Sequence, residues 1–227
     1  MAWPSAGIRA MTEVADPRNR DRIARRQVDK FAERRAQLAS AALQTLAELG
    51  FARTSLRDIA QNSEFSHGVL HYYFSDKIEL ITCCVRQYKA ECVKRYDGIV
   101  ADSDSAESLK RGYGAVMAAS LREEGTMHRL WYDLRNQSLF DDTFRADVEE
   151  IDQSLERMVW RIVSRYSELA GAPIVVTSRA AYAVYDGLFQ HALIRYLNGD
   201  AAAPAELEHE VELLLDRLVP GGRAARR

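Results

Sequence analysis

Residues 54–80 read TSLRDIAQNSEFSHGVLHYYFSDKIEL, and this stretch decides the fold of the chain. Ser55, followed three residues later by an aspartate, has the form of a capping box, in which side chains satisfy free N–H groups at a helix start. Beyond the first helix, Ser66 can cap a second short helix through its hydroxyl. The stretch therefore predicts two short helices joined by a tight turn, ending near Asn62 and Tyr73.

Longer helices are expected on both sides of this stretch. From Phe31 onward, apolar residues recur at spacings of three and four until Gly50, a residue suited to the position just after a helix. On the other side, Asp76 with Glu79 predicts the start of a long helix that runs to about Ile99. Two short helices behind a packed helix form the helix-turn-helix arrangement, which lays its second short helix in the DNA major groove.

The rest of the chain repeats the helical spacing with short breaks, and we expect an all-α fold. Gly125 is expected to separate two of these helices, and Gly171 to end the next one. The apolar spacing predicts helices near residues 105–123, 126–139, 148–169, 174–197 and 205–219. The fold class is thus an N-terminal three-helix DNA-binding domain, residues 29–76, followed by a helical domain, residues 77–220.

The charge is unevenly distributed along the chain. The net charge is −2, from 31 Lys and Arg against 33 Asp and Glu. Residues 1–36 carry nine basic and five acidic residues, so the remainder is acidic. A basic N-terminal segment followed by an acidic remainder fits a protein that contacts phosphate at one end. We expect residues 1–28 to be a flexible basic arm and residues 221–227 a disordered tail.

Composition excludes several classes of protein. No run of 18 apolar residues occurs and the N-terminal 30 residues are mostly polar, which argues against a membrane span or signal peptide and favours a cytoplasmic protein. Cys83, Cys84 and Cys92 cannot form a disulfide framework, so reduced thiols are expected and a redox role stays open. We expect no cofactor and no metal site, because only His67 and His71 have a suitable spacing and DNA contact explains them better.

Residues 31–80 resemble the helix-turn-helix of the TetR family of bacterial regulators. The family positions present are Thr54, Ile59, Ala60, Ser66, Leu70, Tyr73, Phe74, Lys77 and Leu80. The chain departs from the family at the turn, where Ser63-Glu64-Phe65 replaces the usual Ala-Gly-Val, and at His71, where tyrosine is usual. A non-glycine residue at a turn that favours positive φ is expected to cost about 1 kcal/mol.

The resemblance implies which residues contact DNA. Residues facing the base edges are expected to be His67, Gly68, Val69 and His71. Phosphate contacts are expected from hydroxyl or cationic side chains, namely Thr54, Arg57, Tyr72, Tyr73 and Lys77, although Arg57 could reach a guanine instead. Ser66 is also expected among the DNA-contact residues. Tyr72 and Tyr73 could instead be packing residues, and His71 could simply be solvated.

Residues 130–135 and 185–188 resemble the C-terminal domain of the BetI-type branch of the family. This resemblance implies a small-molecule site between the central helices and a dimer formed by the last two. The candidate ligand-binding residues are Tyr113, Met117, Trp131, Arg135, Tyr182, Asp186 and Phe189. The aromatic residues could instead be ordinary core, and Arg135 and Asp186 a structural ion pair. For the dimer we expect the stripe of Leu207, Val211, Leu214 and Leu218 beside the 174–197 helix.

These features predict a homodimeric repressor that a small-molecule inducer releases from a palindromic DNA operator. Two alternatives stay open at this point. One is a helical adaptor that binds protein through the same short helices. The other is a helical enzyme, although the sequence has no phosphate loop, nucleophile elbow or clustered His and carboxylate. The sequence does not identify the inducer, the operator or the regulated genes, nor does it distinguish repression from activation.

Overall fold

A computed structural model describes residues 17–50 and 54–221, and these residues form helices without any strand. The predicted all-α class is confirmed. The helices are α1 (Pro17–Leu49), α2 (Leu56–Gln61), α3 (His67–Tyr73), α4 (Lys77–Asp102), α5 (Ala106–Gln137), α6 (Arg145–Ala170), α7 (Ser178–Leu197) and α8 (Ala203–Leu218). Within the described ranges, no helix is long and apolar enough to span a bilayer.

Helix α1 begins well before the predicted position. It starts at Pro17, whereas apolar spacing placed the start at Phe31 and a flexible arm before it. The added segment is rich in arginine and other good helix formers but has no apolar stripe, so periodicity could not reveal it. Residues 1–16 of the predicted arm, and residues 222–227 of the predicted tail, lie outside the described residues. The chain divides into one unit ending at Arg35 and a second unit from Ala36 onward, which holds every site described below.

The predicted caps of the two short helices are confirmed. Ser55 Oγ accepts a hydrogen bond from the backbone N–H of Asp58 at 3.2 Å, and Asp58 Oδ2 accepts one from the N–H of Ser55 at 2.8 Å. Ser66 Oγ accepts a hydrogen bond from the N–H of Val69 at 3.3 Å. Each cap satisfies backbone groups that would otherwise lack an intrahelical partner. The helices therefore start where their serines place them.

The turn between α2 and α3 carries no backbone strain, so the expected cost of Ser63-Glu64-Phe65 is wrong. Among the described residues, positive φ angles occur only at glycines. The turn is instead held by local hydrogen bonds: the N–H of Phe65 donates to Ser63 Oγ at 3.3 Å, and the N–H of Ser63 donates to the carbonyl of Ala60 at 3.4 Å. A serine that bonds the backbone two residues on can replace the usual glycine in this way.

The break predicted at Gly125 is present within α5 as a kink. The backbone is non-helical at Glu124 (φ −127°, ψ 18°), where two helical segments meet. Gly125 is buried beside Leu193 and Tyr196 of α7. A glycine weakens a helix by about 1 kcal/mol without ending it, and packing against a neighbour can offset that cost.

The second half of the chain is a bundle built around α5. This helix packs against α4, α6, α7 and α8, and α4 also packs against α6. Of the stripe predicted for the dimer, Leu207, Val211 and Leu218 are buried within the chain itself and Leu214 is half-buried. The expectation that this stripe forms the dimer surface is therefore wrong: α8 uses it to pack against α5 and α7.

Helices α5 and α8 pack closely against each other at Gly114. A β-carbon added at this residue would lie 3.0 Å from the carbonyl oxygen of Glu208 and 3.2 Å from its Cγ. Such distances are shorter than ordinary van der Waals contact, and the first obstacle is backbone that cannot rotate away. The position therefore requires glycine for packing.

Gly114→Ala should lower the free energy of unfolding by about 1–3 kcal/mol, because α8 must move away from α5. Gly98→Ala is the matched control, since a β-carbon at Gly98 of α4 meets nothing within 4 Å. That change should stabilise the protein by up to about 1 kcal/mol through helix propensity alone. Urea unfolding at equal protein concentration measures both, and a stabilising effect of Gly114→Ala would contradict the close approach.

Candidate nucleic-acid interface and ligand cavity

Helix α3 has one face held inside the protein and one face presented to solvent. Leu70 is fully buried within α3, and Phe74, which ends the helix, is buried as well. On the opposite face His67, His71 and Tyr72 are exposed. Because the inner face is anchored in the core, the helix that carries the outer side chains is held in a fixed position.

The outer face carries donors, acceptors and an open approach. The rings of His67 and His71 pack edge to face with centroids 4.4 Å apart, and the Tyr72 and Tyr73 rings do the same at 4.9 Å. A β-carbon at Gly68 would meet nothing within 4 Å, so the helix surface there is unobstructed. Imidazole groups can donate to or accept from base edges, and a glycine permits close approach to them.

Most of the predicted DNA-contact residues are at least partly exposed in the structure. Those exposed are Arg57, Ser66, His67, Gly68, His71 and Tyr72, and those half-buried are Val69, Tyr73 and Lys77. Thr54 is the exception. It is 3% exposed, and its hydroxyl donates to the carbonyl of Gly50 at 2.6 Å. The geometry gives Thr54 the role of holding the end of α1, in place of the predicted phosphate contact.

A cavity lies among α4, α5, α6 and α7, with a volume of about 60 Å³. Its walls are mainly aromatic. They include six of the seven predicted ligand-binding residues, namely Tyr113, Met117, Trp131, Tyr182, Asp186 and Phe189. These six side chains therefore lie around one cavity. The rings of Tyr96, Tyr113 and Tyr185 form a chain of edge-to-face contacts along one wall, with centroids 5.7 and 5.1 Å apart.

Arg135, the seventh predicted residue, does not line the cavity. Its Nη1 donates to Asp186 Oδ2 at 2.5 Å, and its Nη2 lies 3.3 Å from Asp152 Oδ2. The alternative of an ion pair with Asp186 describes it better than direct ligand contact does. Arg135 instead holds the carboxylates of Asp186 and Asp152 in place. Burial raises the pKa of Asp152, which also accepts a hydrogen bond from the Tyr182 hydroxyl.

Two buried polar residues of the cavity were not predicted, Lys89 on α4 and His128 on α5. Lys89 Nζ lies 3.0 Å from His128 Nδ1. Burial lowers the pKa of Lys89 to about 8, although nearby acidic groups partly oppose this effect. One signal was available: Lys89 falls at helical spacing between Val85 and Cys92, on the buried side of α4.

His128 is neutral at physiological pH. Its pKa is lowered, first by burial and then by the positive charges of Lys89 and Arg95. Because an ammonium can only donate, we assign Nδ1 as the acceptor from Lys89 and place the ring proton on Nε2. His128 Nε2 is buried and has no hydrogen-bond partner in the described part of the chain.

Cys92, Glu124 and His128 are the types of side chain that can hold a metal ion, with one potential donor atom from each lying within 4.8 Å of the others. The sequence did not bring them together, since they lie on two helices. Positively charged side chains of the protein already lie beside these three residues. Arg95 Nη2 donates to both oxygens of Glu124, at 2.9 and 2.6 Å, and to Cys92 Sγ at 3.4 Å. A divalent cation would meet the repulsion of Arg95 and Lys89, so the arrangement fits an internal ion-pair cluster better.

Comparisons with known proteins find relatives of both the helix-turn-helix segment and the chain as a whole. Residues 38–82 match the family model described as "Bacterial regulatory proteins, tetR family". The HTH-type transcriptional regulator BetI of Burkholderia cenocepacia (strain HI2424) is 26% identical over 191 residues, covering 80% of this chain and 94% of that protein. BetI of Stenotrophomonas maltophilia (strain R551-3) is 27% identical over 163 residues, covering 69% and 79%.

Solved structures share the fold. A transcriptional regulator from Pseudomonas aeruginosa PAO1 superposes with a TM-score of 0.67 at 16% identity, over 86% of this chain and 95% of that one. FadR from Bacillus subtilis, solved in complex with stearoyl-CoA, gives a TM-score of 0.60 at 18% identity, over 82% and 97%. Residues 38–82 thus match the TetR-family model, and the chain is similar over most of its length to BetI-type transcriptional regulators.

Proposed function

We propose that this regulator is a homodimeric repressor that binds a palindromic operator through α3 and leaves it when a small molecule enters the cavity. The observation that carries the proposal is the outer face of α3. His67, Gly68 and His71 stand exposed on a helix whose opposite side is anchored by Leu70 and Phe74. A rigid helix that offers polar groups and open space suits the major groove.

Phosphate contacts would fix the motif on the duplex. Arg57 and Tyr72 are exposed, and Lys77 lies at the start of α4. Contacts of this kind position a protein without reading sequence, whereas contacts to base edges give specificity. The proposal therefore assigns sequence choice to His67 and His71, and affinity to Lys77, Arg57 and the tyrosine hydroxyls.

A second copy of the chain would supply the second recognition helix. Two such helices reach successive major grooves when they lie about 34 Å apart, which a symmetric dimer can achieve. The surface that favours dimerisation is on α7, where Val184 and Ile194 are 44% and 55% exposed on the same side as Gly187 and His191. Exposed apolar side chains in a row with small ones permit close helix packing. We propose this α7 face in place of the α8 stripe.

Helix α4 would connect the cavity to DNA. It begins four residues after α3 ends and runs for 26 residues, or about 39 Å. Lys89, Cys92 and Tyr96 on this helix line the cavity. A ligand that tilts the middle of α4 would move its DNA-proximal end by ångströms, which is enough to lose one half-site. FadR, which shares the fold, was solved with a bound small molecule, and this supports a ligand-sensing role here.

Lys77→Ala should weaken binding to every duplex alike, by about threefold to tenfold, and reduce the slope of log affinity against log salt by about one. His67→Ala should instead change the preference at particular base pairs, because it removes a base-edge contact. Lys94→Ala is the control, since Lys94 is an exposed lysine farther along α4. Fluorescence anisotropy over a panel of duplexes and salt concentrations measures all three. Equal weakening of every duplex by both variants would contradict the division of roles.

Val184→Asp should give monomers, because it places one charge from each subunit against the other at an apolar interface. Operator affinity should then fall about a hundredfold or more, since each monomer engages one half-site. Val175→Asp is the matched control: Val175 is 58% exposed but lies in the connection before α7. Sedimentation velocity gives the assembly state, and a Val184→Asp protein that remains dimeric would exclude the α7 interface.

A further inference from the structure

The hydrogen-bond acceptors of the cavity are already satisfied by the protein. Asp186 Oδ2 accepts from Arg135 at 2.5 Å, and Oδ1 accepts from the hydroxyl of Tyr132 at 3.0 Å. Asp152 pairs with Arg135 and accepts from the hydroxyl of Tyr182. A ligand that offers hydrogen-bond donors or positive charge would have to displace these internal partners before it could reach a carboxylate.

Several hydrogen-bond donors of residues that line the cavity, by contrast, have no partner in the described part of the chain. His128 Nε2, Trp131 Nε1 and the hydroxyl of Tyr185 are buried and have no hydrogen-bond partner among residues 17–50 and 54–221. The ammonium of Lys89, 6% exposed, has three N–H groups and donates one of them to His128 Nδ1 at 3.0 Å. All four residues line the cavity. A buried donor left without an acceptor costs free energy, so the cavity is prepared for a group that accepts several hydrogen bonds.

Lys89 also takes the place that a cationic ligand would prefer. Its Nζ lies 5.5 Å from the ring centroid of Trp131 and 5.5 Å from that of Tyr88. Aromatic walls attract cations through their ring faces at about this distance. With the ammonium of Lys89 already there, a second cation would meet like-charge repulsion instead of the free aromatic face.

We propose that the ligand of this cavity is a small carboxylate with a short apolar chain, whose carboxylate group accepts hydrogen bonds from Lys89, His128 and Trp131. A carboxylate offers about four acceptor sites, and the ammonium supplies the opposite charge that a buried anion requires. The apolar chain would contact the aromatic wall of Tyr113 and Tyr185. The inference rests on the proposed function, because it names the ligand class of the same cavity.

The volume of the cavity restricts the size of the ligand. Pockets that bind drug-sized ligands have volumes of about 300–1,000 Å³, and a cavity needs roughly 10–15 Å³ to hold one water molecule. The 60 Å³ present here suits a chain of a few carbon atoms. A longer acid would first have to move one of the cavity helices.

Calorimetric titration of the full chain at constant ionic strength tests the ligand class with three probes of similar shape: butyrate, butyramide and butylammonium. The series is extended in the size of the apolar part by acetate, hexanoate and benzoate. Inorganic phosphate is an anion that has no apolar part. Butyrate should bind about tenfold or more tightly than butyramide, because its bond to a charged donor is the stronger one. Butylammonium and phosphate should show no binding.

Three variants locate the binding. Lys89→Met removes the ammonium but keeps the length of the side chain, and it should fold because it takes a charge out of the interior. It should reduce butyrate affinity by about tenfold or more. Trp131→Phe, which removes the indole N–H, should reduce it severalfold. Lys94→Met, at an exposed lysine of the same helix, should bind butyrate as the unmodified protein does.

Absence of binding by every acid would overturn the proposal, and would mean that water satisfies the donors. Equal affinity for butyrate and butyramide, tighter binding of butylammonium, or unchanged affinity in Lys89→Met would overturn it as well. The proposed function is judged separately, from the anisotropy of a labelled duplex during the same titrations. An acid that binds without releasing DNA supports the ligand class and contradicts induction, whereas release by butylammonium contradicts the ligand class alone.

Discussion

The start of helix α4 is fixed by two carboxylates that cap it from opposite directions. Asp76 Oδ1 accepts a hydrogen bond from the N–H of Glu79 at 2.9 Å, and Glu79 Oε2 accepts from the N–H and hydroxyl of Ser75 at 2.8 and 2.9 Å. The residue just before them, Phe74, closes the core of the helix-turn-helix. These bonds set where α3 ends and where the long helix begins, and three turns farther along Lys89 enters the cavity. The DNA-facing surface and the cavity are therefore linked by one continuous helix whose first turn is tightly held.

Much of this fold depends on contacts between residues that are close in sequence, and it could therefore be predicted. Ser55, Ser66 and Asp76 act as caps at the positions expected, since capping depends on residues within one turn of each other. Prediction failed where distant contacts or weak local signals decide the outcome. The start of α1 at Pro17 was missed, because residues 17–30 carry no apolar stripe. The apolar face of α8 was expected to meet a second chain, but α5 of the same chain covers it. Periodicity shows that a face is buried and cannot show against what.

Some residues of the cavity could be predicted from the sequence, and others could not. Six of the seven residues that the resemblance indicated line the cavity, and four of the six are aromatic. Lys89 and His128 were missed because a buried charge contradicts the usual distribution of lysine, and only the meeting of α4 with α5 explains it. Buried donors without partners line the cavity, whereas Arg135 pairs with the nearby carboxylates. The ion pair of Arg135 and Asp186 was one of two possibilities left open by the sequence, because sequence shows two charges and not their separation.

Selection of bound duplexes from a random DNA pool tests the central claim of this account most directly, that α3 reads sequence as one of a symmetric pair. The full chain is incubated with the pool, bound duplexes are recovered over several rounds, and the enriched sequences are determined. We expect an inverted repeat whose half-site centres lie about 34 Å, or a multiple of that distance, apart along the duplex. We also expect the affinity for the enriched sequence to exceed that for the starting pool by about a thousandfold or more at physiological salt. A recovered pool with the same sequence statistics as the input, or an enriched site without two-fold symmetry, would contradict it.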